Sequence, residues 1–204
     1  MNAELRLFQG LNRMGLEVTA EVQTELLAYL KLMQKWNRAY NLTAIRDLDQ
    51  MVIRHLLDSL SILPFIDDSP VLDVGSGAGL PGIPLALCRP DYQFVLLDSN
   101  GKKTRFLTQV KIELGLDNLE VIHGRVEDYQ TDTRFGIITC RAFAAINTIL
   151  ERTQHLVTSS TRILAMVGKE ALPELPAGYQ RLDSHDLQVA WLEEERHLIT
   201  IKKS

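Results

Sequence analysis

An aspartate followed by three glycines at alternate positions, Asp73, Gly75, Gly77 and Gly79, leads into Leu80, Pro81 and a fourth glycine, Gly82. Glycines at this density let a backbone lie close against a bound molecule, because no Cβ intervenes. The Asp73 carboxylate ahead of them suits a cationic group and repels a phosphate. A dinucleotide fingerprint starting at Gly75 needs glycine at position 80, where the chain has Leu80. A phosphate-cradling P-loop needs a lysine and a hydroxyl after its last glycine, whereas Gly82 is followed by Ile83 and Pro84. S-adenosyl-L-methionine satisfies the pattern better: it carries an ammonium, a sulfonium and a carboxylate, and no phosphate. Asp73 is expected to receive the ammonium, directly or through water.

The residues downstream agree in order and spacing. Asp98 ends the next β-rich run, about 20 residues after the glycines, where an acidic side chain accepts hydrogen bonds from ribose hydroxyls. In "GRVEDY", after the third such run, Val126, Glu127 and Asp128 stand where an adenine would be covered and read at its edge. The competing reading is a tight strand-to-helix turn in an ordinary α/β domain, which the ordered set of acid, glycines, second acid and loop makes less economical.

The elements that must position these residues can be read from periodicity. Residues up to about Leu63 are helical: Val22, Leu26, Leu30, Met33 and Tyr40 recur at helical spacing behind a Thr19 N-cap. A second helix starts at Asp47, with Gln50 three residues on as in a capping box, and runs through Leu56, Leu57 and Leu60. "PFIDDSP" then breaks the pattern. From Pro70 onward the runs "PVLDVG", "QFVLLD", "LEVIHG", "FGIITCRA", "RILAMVG" and "RHLITIKK" alternate with helical stretches or loops. Such alternation predicts an α/β fold, a Rossmann-like doubly wound, mostly parallel sheet, with an N-terminal helical cap. We divide the chain into residues 1–65, a helical extension, and 66–204, the sheet domain, packed as one unit. Ligands of such sheets lie beyond the carboxyl ends of the strands, where the glycine stretch falls.

Composition narrows the rest. A chain of 204 residues, 46% hydrophobic, supports one sizeable core. A formal net charge of -4 argues against a broad basic surface, though not against a local one. Two cysteines, Cys88 and Cys140, are too few for a disulfide framework or a zinc site, so no metal is expected and a reducing compartment is the economical reading. Polar and acidic residues at the start and the lack of any long apolar run predict a cytoplasmic protein without a membrane partner. A monomer is the expected state.

"KWNRAYNLTAIRD" (35–47), "RHLLDSL" (54–60), "DVGSGAGLPGIPLA" (73–86), "LLDSNGKKTRFL" (96–107) and "RAFA" (141–144) closely resemble the bacterial ribosomal RNA small subunit methyltransferase G family, also called glucose-inhibited division protein B. The resemblance covers nearly the whole chain. It implies a class I S-adenosylmethionine-dependent enzyme that methylates N7 of one guanine in 16S ribosomal RNA and releases S-adenosyl-L-homocysteine. The family's cofactor residues carry over onto Gly75, Leu80, Val126, Glu127 and Arg141. One departure concerns the fifth β-rich run, where a Leu-Lys-Gly is expected and the chain reads "AMVGKE", with Val167 at the lysine and Lys169 two positions on. The implied partner is small-subunit ribosomal RNA or a ribosomal particle. The rival readings are a methyltransferase for another RNA atom or for protein, and a non-catalytic S-adenosylmethionine-binding assembly factor.

Guanine N7 has an unprotonated lone pair, so attack on a sulfonium methyl needs no general base, and positioning and electrostatics do most of the work. Arg141 is therefore the one residue with an expected catalytic part, in positioning. His55, Asp58 and Ser59 crowd one helix without a nucleophile elbow, which favours a structural or RNA-facing role over a hydrolase triad. Cys140 lies in an apolar run where the family often has serine, which disfavours a covalent nucleophile. Lys102, Arg105 and Lys111 point away from the buried face of their helix, and Arg38, Arg46 and Arg54 flank the helical cap; these six are the RNA-contact candidates beside a plain solvated-surface reading. Lys103 falls within the apolar arc of its helix; snorkelling past the core edge is the default expectation and reach to the cofactor rim the alternative. Trp36 and Tyr40, one turn apart, are expected in the core rather than stacked on a base.

Overall fold

The computed structural model describes residues 2–141, 145–168 and 174–204. Two helices open the chain, α1 (Ala3–Arg13) and α2 (Ala20–Tyr40). Thr19 caps α2 by accepting the Val22 N–H at 3.4 Å, and Asn41 ends it in the left-handed conformation. Residues 48–60 then run through three helical geometries: α3 (Leu48–Met51), a π-helical stretch (Val52–Leu57) and α4 (Asp58–Leu60). Asp47 accepts the Gln50 N–H at 2.9 Å, as a helix start should, but the Gln50 side chain turns to Arg54, so half of the capping box forms. The π-helical widening has no signature in the leucine spacing. Such widenings recur at functional sites, where they re-aim side chains.

Seven strands follow: β1 (Val71–Val74), β2 (Phe94–Asp98), β3 (Leu119–His123), β4 (Ile137–Arg141), β5 (Arg162–Val167), β6 (Tyr179–Asp186) and β7 (His197–Lys203). Their order across the sheet is β3-β2-β1-β4-β5-β7-β6, with β7 antiparallel to both neighbours and the rest parallel. Helices α5 (Gly82–Cys88), α6 (Gly101–Leu114) and α7 (Ile146–Thr153) lie in the crossovers. The mostly parallel Rossmann-like sheet is the one expected from the alternation. Strand β6 was not expected, because "YQRLDSHD" carries almost no apolar face; it is an edge strand, held by the ladder to β7 rather than by burial.

Chain order reverses between β1 and β4, which makes their carboxyl ends the switch point of the sheet. Alternate strand residues enter two cores. Val71, Leu96, Ile137 and Leu164 join a cluster reaching from Leu7 in α1 to Leu198, while Leu72, Ile138, Cys140 and Ile163 join a smaller one with Ile149 and Leu150 of α7. By the same alternation Asp73, Thr139 and Arg141 face the N-terminal helices, with Asp73 directly beside Thr139. No helix among the described residues is long and apolar enough to cross a membrane.

The helical layer also grips the glycine stretch. Tyr29, fully buried in α2, donates its hydroxyl to the Ala78 carbonyl at 2.7 Å and stacks on Phe106 of α6. Burial raises the Tyr29 pKa well above its ordinary value, so the group stays a donor. Tyr29→Phe should cost about 0.5–1.5 kcal/mol of stability, the usual net worth of such a bond. Denaturant unfolding checks this, and an unchanged midpoint would mean that the loop holds its shape without the helix.

Candidate functional site

The backbone from Gly75 to Gly82 wraps around the end of β1. The Gly75 and Ser76 amides donate to the Leu97 carbonyl of β2 at 2.8 and 3.2 Å, and the Gly79 and Leu80 amides donate to the Ser76 carbonyl. Asp98 closes the other side: one carboxylate oxygen accepts the Gly77 N–H and the other the Asn100 N–H, each at 2.8 Å. Each of these oxygens keeps a further lone pair for a ligand hydroxyl.

The glycines serve different ends. At Gly77, with φ of +60°, a Cβ would meet nothing closer than 3.8 Å, so the loop faces open space there, and the Lys103 ammonium lies at that same distance. Lys103 thus reaches the rim of the loop instead of only skirting the core. At Gly79, with φ of +95°, a Cβ would fall 2.4 Å from Ile83 and 2.9 Å from Leu107, so this glycine lets the loop pack onto α5 and α6. At Gly82 a Cβ would collide with the Asp73 carboxylate at 2.7 Å.

Asp73 is fully buried, one oxygen accepting the Gly82 N–H at 3.0 Å and the other without a partner among the described residues. The carboxyl lies beneath the loop rather than open to an arriving ammonium, because the helix that follows needs an acceptor at its first turn. Leu80 is buried in the core shared with the helices, and the Val126 side chain is buried in the second core. Glu127 stands exposed in an ion pair with Arg152 of α7 at 3.2 Å. The set that fits S-adenosylmethionine is the open face at Gly77, the spare acceptors of Asp98 and the backbone of the turn at Val126–Asp128.

Beside the loop, past the ends of β4 and β5, a cavity of about 450 Å³ opens. Ile45, Ile146, Ile149 and Met166 give it apolar walls, and Arg54, His55, Asp58, Arg141 and Arg196 a polar floor. Arg141 donates to Asp58 at 3.0 Å and to the Arg54 carbonyl at 3.1 Å, while Arg196 meets the other Asp58 oxygen at 3.2 Å. The π-helical stretch, through Arg54, and the start of α4, through Asp58, therefore set the two acceptors of Arg141. His55 bonds Thr43 at 2.9 Å, and burial, then the Arg141 charge, lowers its pKa from 6.5 to about 4. Asn37 clamps the loop that carries Thr43 by exchanging two 2.9 Å bonds with its backbone. Sequence reasoning left His55 and Asp58 as structural or RNA-facing, and it missed Arg196 and Tyr29. Their separation in the chain hides them, since only the packed helices bring residues 29, 58 and 196 to this end of the sheet.

Val167 lines the cavity where a lysine was expected; Lys169 and the Ala142–Ala144 part of "RAFA" lie outside the described residues. Burial pushes the Cys140 thiol up to about 12, which denies it thiolate character. Arg38 and Arg46 are exposed and share one shallow hollow. Arg105 is exposed beside Trp36, which stacks on Tyr40 and tilts against Phe106. Lys102 is exposed, Lys111 half-buried, and Arg54 is paired with Glu194 at 2.7 Å.

Burial raises the Asp73 pKa from 3.8 to about 7, partly offset by the Gly82 N–H. An acid whose pKa rises on folding contributes stability below its unfolded value and loses it as pH climbs to the folded value. His55, a base depressed on folding, acts oppositely between pH 6.5 and about 4, so the two slopes mask each other in the native chain. Asp73→Asn keeps an acceptor for Gly82 and isolates one slope. The stability of the variant minus that of the native chain should grow as pH rises from about 4 to about 7 and level off above. Denaturant unfolding at fixed ionic strength measures it, and a flat difference would assign Asp73 an ordinary pKa.

A family model described as rRNA small subunit methyltransferase G matches residues 22–199. The chain is 51% identical over 204 residues to the Ribosomal RNA small subunit methyltransferase G of Stutzerimonas stutzeri (strain A1501), covering 97% of this chain and 94% of that protein. It is 50% identical over 203 residues to that of Ectopseudomonas mendocina (strain ymp), covering 97% and 95%. Among solved structures, a SAM dependent methyltransferase from Aquifex aeolicus matches with a TM-score of 0.56 at 16% identity, over 72% of this chain and 90% of that one. The glycopeptide N-methyltransferase MtfA complexed with S-adenosyl-L-homocysteine matches at 0.57 and 10%, over 73% and 86%. The structural likeness establishes a methyltransferase fold, and the sequence match, extending through both the glycine loop and the helices that floor the cavity, establishes more: the chain belongs to the rRNA small subunit methyltransferase G family.

Proposed function

We propose that this chain, acting in the cytoplasm as a monomer, transfers a methyl group from S-adenosylmethionine to N7 of one guanine in 16S ribosomal RNA. The observation that carries the reading is the meeting, at the switch point of the sheet, of an open glycine loop and a separate cavity floored by Arg141. The loop takes the cofactor, and the cavity takes the acceptor. When bound, the cofactor supplies an electrophilic methyl on a sulfonium.

The chain's residues orient and neutralise. Gly75 and Gly77 allow close backbone approach, Leu80 shapes the loop, and Asp98 accepts from the ribose hydroxyls. Val126 and Glu127 bound the adenine with their turn. Asp73 acts from beneath the loop by fixing its exit into α5. Arg141, its guanidinium set by Asp58 and the Arg54 carbonyl, positions the two reactants. His55 is uncharged at neutral pH, consistent with chemistry that asks for no proton transfer to the enzyme. Residues 1–65 serve as a helical extension packed as one unit on the methyltransferase domain, 66–204. Arg38, Arg46, Lys102, Arg105 and Lys111 offer charge to the RNA backbone, with Arg54 already committed to Glu194.

Methyl incorporation from labelled cofactor into 16S RNA and into small subunits, followed by mapping of the modified atom, tests the assignment. Cofactor binding without transfer to either acceptor would replace it with an assembly factor. Asp98→Ala should weaken cofactor binding by about 1.5–3 kcal/mol, read by calorimetry, the range for hydrogen bonds to a charged group. Arg141→Lys keeps the charge but loses the fork, and single-turnover transfer should fall at least about tenfold, or about 1.4 kcal/mol of barrier. Native rates in the lysine variant would make Arg141 scaffold.

A further inference from the structure

Asp58 and Arg196 form the least expected pair on the floor of the cavity. Asp58 is almost fully buried, at 4% exposure, at the end of the π-helical stretch, and Arg196 arrives from just before β7, at the far end of the chain. One Asp58 oxygen is spent on Arg141. The other lies 3.2 Å from the Arg196 Nε yet makes no aligned hydrogen bond among the described residues. That oxygen is itself covered, with Arg196 lying over it, while Asp58 and Arg196 both line the cavity. The Arg196 guanidinium, with its side chain at 24% exposure, spends one Nη1 donor on the Glu195 carbonyl at 2.9 Å and keeps further Nη donors. Buried polar groups seldom lack aligned partners, and a misaligned ion pair between a covered carboxylate oxygen and a partly exposed arginine at a cavity wall points to a ligand that draws the arginine aside and bonds both.

We propose that Asp58 and Arg196 read the Watson–Crick edge of the acceptor purine and select guanine. Guanine presents a carbonyl acceptor, O6, beside a donor, N1–H. Arg196 swings from Asp58 to donate to O6, and the Asp58 oxygen that it uncovers accepts from N1–H. Adenine presents a donor beside an acceptor on the same edge, so it meets both groups with the wrong polarity. Ile45, Ile146, Ile149 and Met166 supply apolar surface for the rings, and a cavity of about 450 Å³ has room for an extruded base. With this edge against the floor, N7 is left unbonded, as a nucleophile must be. Selection of this kind is severe, because a wrong base sets a donor against the guanidinium and an acceptor against the carboxylate. The inference rests on the guanine reading above and adds the two residues that enforce it.

The test uses the full chain and small subunits lacking the modification, with the target guanosine kept or replaced by inosine or adenosine. Single-turnover transfer at saturating cofactor, cofactor affinity by calorimetry and thermal melting are measured together. With the native chain, inosine, which retains O6 and N1–H, should be methylated within a few-fold of guanosine, and adenosine at least about a hundredfold more slowly. Arg196→Gln and Arg196→Lys should each slow transfer to guanosine at least about tenfold while cofactor affinity stays unchanged. Asp58→Asn should slow it too, and the Asp58→Asn, Arg196→Gln double variant should lose less than the product of the single losses, because both groups read one edge. Should Asp58→Asn fail to fold, the partly exposed Arg196 variants carry the test. Native transfer in Arg196→Gln, equal rates on adenosine and guanosine, or a loss of cofactor affinity matching the loss of rate would each overturn the inference. If the native chain transfers methyl well but to an atom other than guanine N7, the function proposed above falls and this inference falls with it.

Discussion

Asp73 stands at the third position of β1 with one oxygen on the Gly82 amide, and through that bond the strand, the glycine loop and α5 become one rigid corner. The corner admits no side chain at position 82, because a Cβ there would strike the carboxylate. It also places the group out of water at a cost visible in its raised pKa. A buried acid tolerated in this way is strong evidence that the loop's shape matters more than the local free energy it gives up. What the loop presents outward at Gly77, and the reach of Asp98 to that same amide, follow from where the corner is set.

The second constraint is the contact between the N-terminal helices and the sheet. Tyr29 reaches the loop from α2, and the π-helical turn and the start of α4 deliver the Arg54 carbonyl and Asp58 to the Arg141 guanidinium. The helical layer is thus bonded to the sheet domain at both the glycine loop and the cavity. The arrangement explains why a helical segment so far from the glycines in sequence belongs to the site. It also explains why the helical layer shares one hydrophobic cluster with the sheet instead of packing as a separate body.

Electrostatics follow the same division. The whole chain carries a net charge of -4, yet the cavity floor sets Arg141 and Arg196 on a single buried carboxylate, with Arg54 paired to Glu194. Local excess positive charge beside an acidic body suits an enzyme that must grip one nucleotide without clinging to RNA in general. His55, kept neutral by burial and by Arg141, adds no charge to that floor near pH 7.

Fold class was legible from the alternation of short β-rich runs with helical periodicity, and the glycine loop from the spacing of its glycines behind Asp73, because both are local patterns. The edge strand β6 was not, since its stability comes from hydrogen bonds to β7 and leaves no apolar trace in "YQRLDSHD". The sequence by itself determined that Asp73, Asp98 and Arg141 stand at or near the carboxyl ends of strands of one sheet, and hence that they gather at one edge. It could not determine that Asp73 would lie under the loop, that Gly79 and Gly82 are small for packing while Gly77 is small facing open space, or which of its two readings Lys103 would take. Those outcomes depend on which atoms arrive from elsewhere. Only the tertiary structure decided that Asp58 would lie between arginines at positions 141 and 196, because contacts across such separations follow from how helices seat on a sheet, and no local spacing encodes that seating.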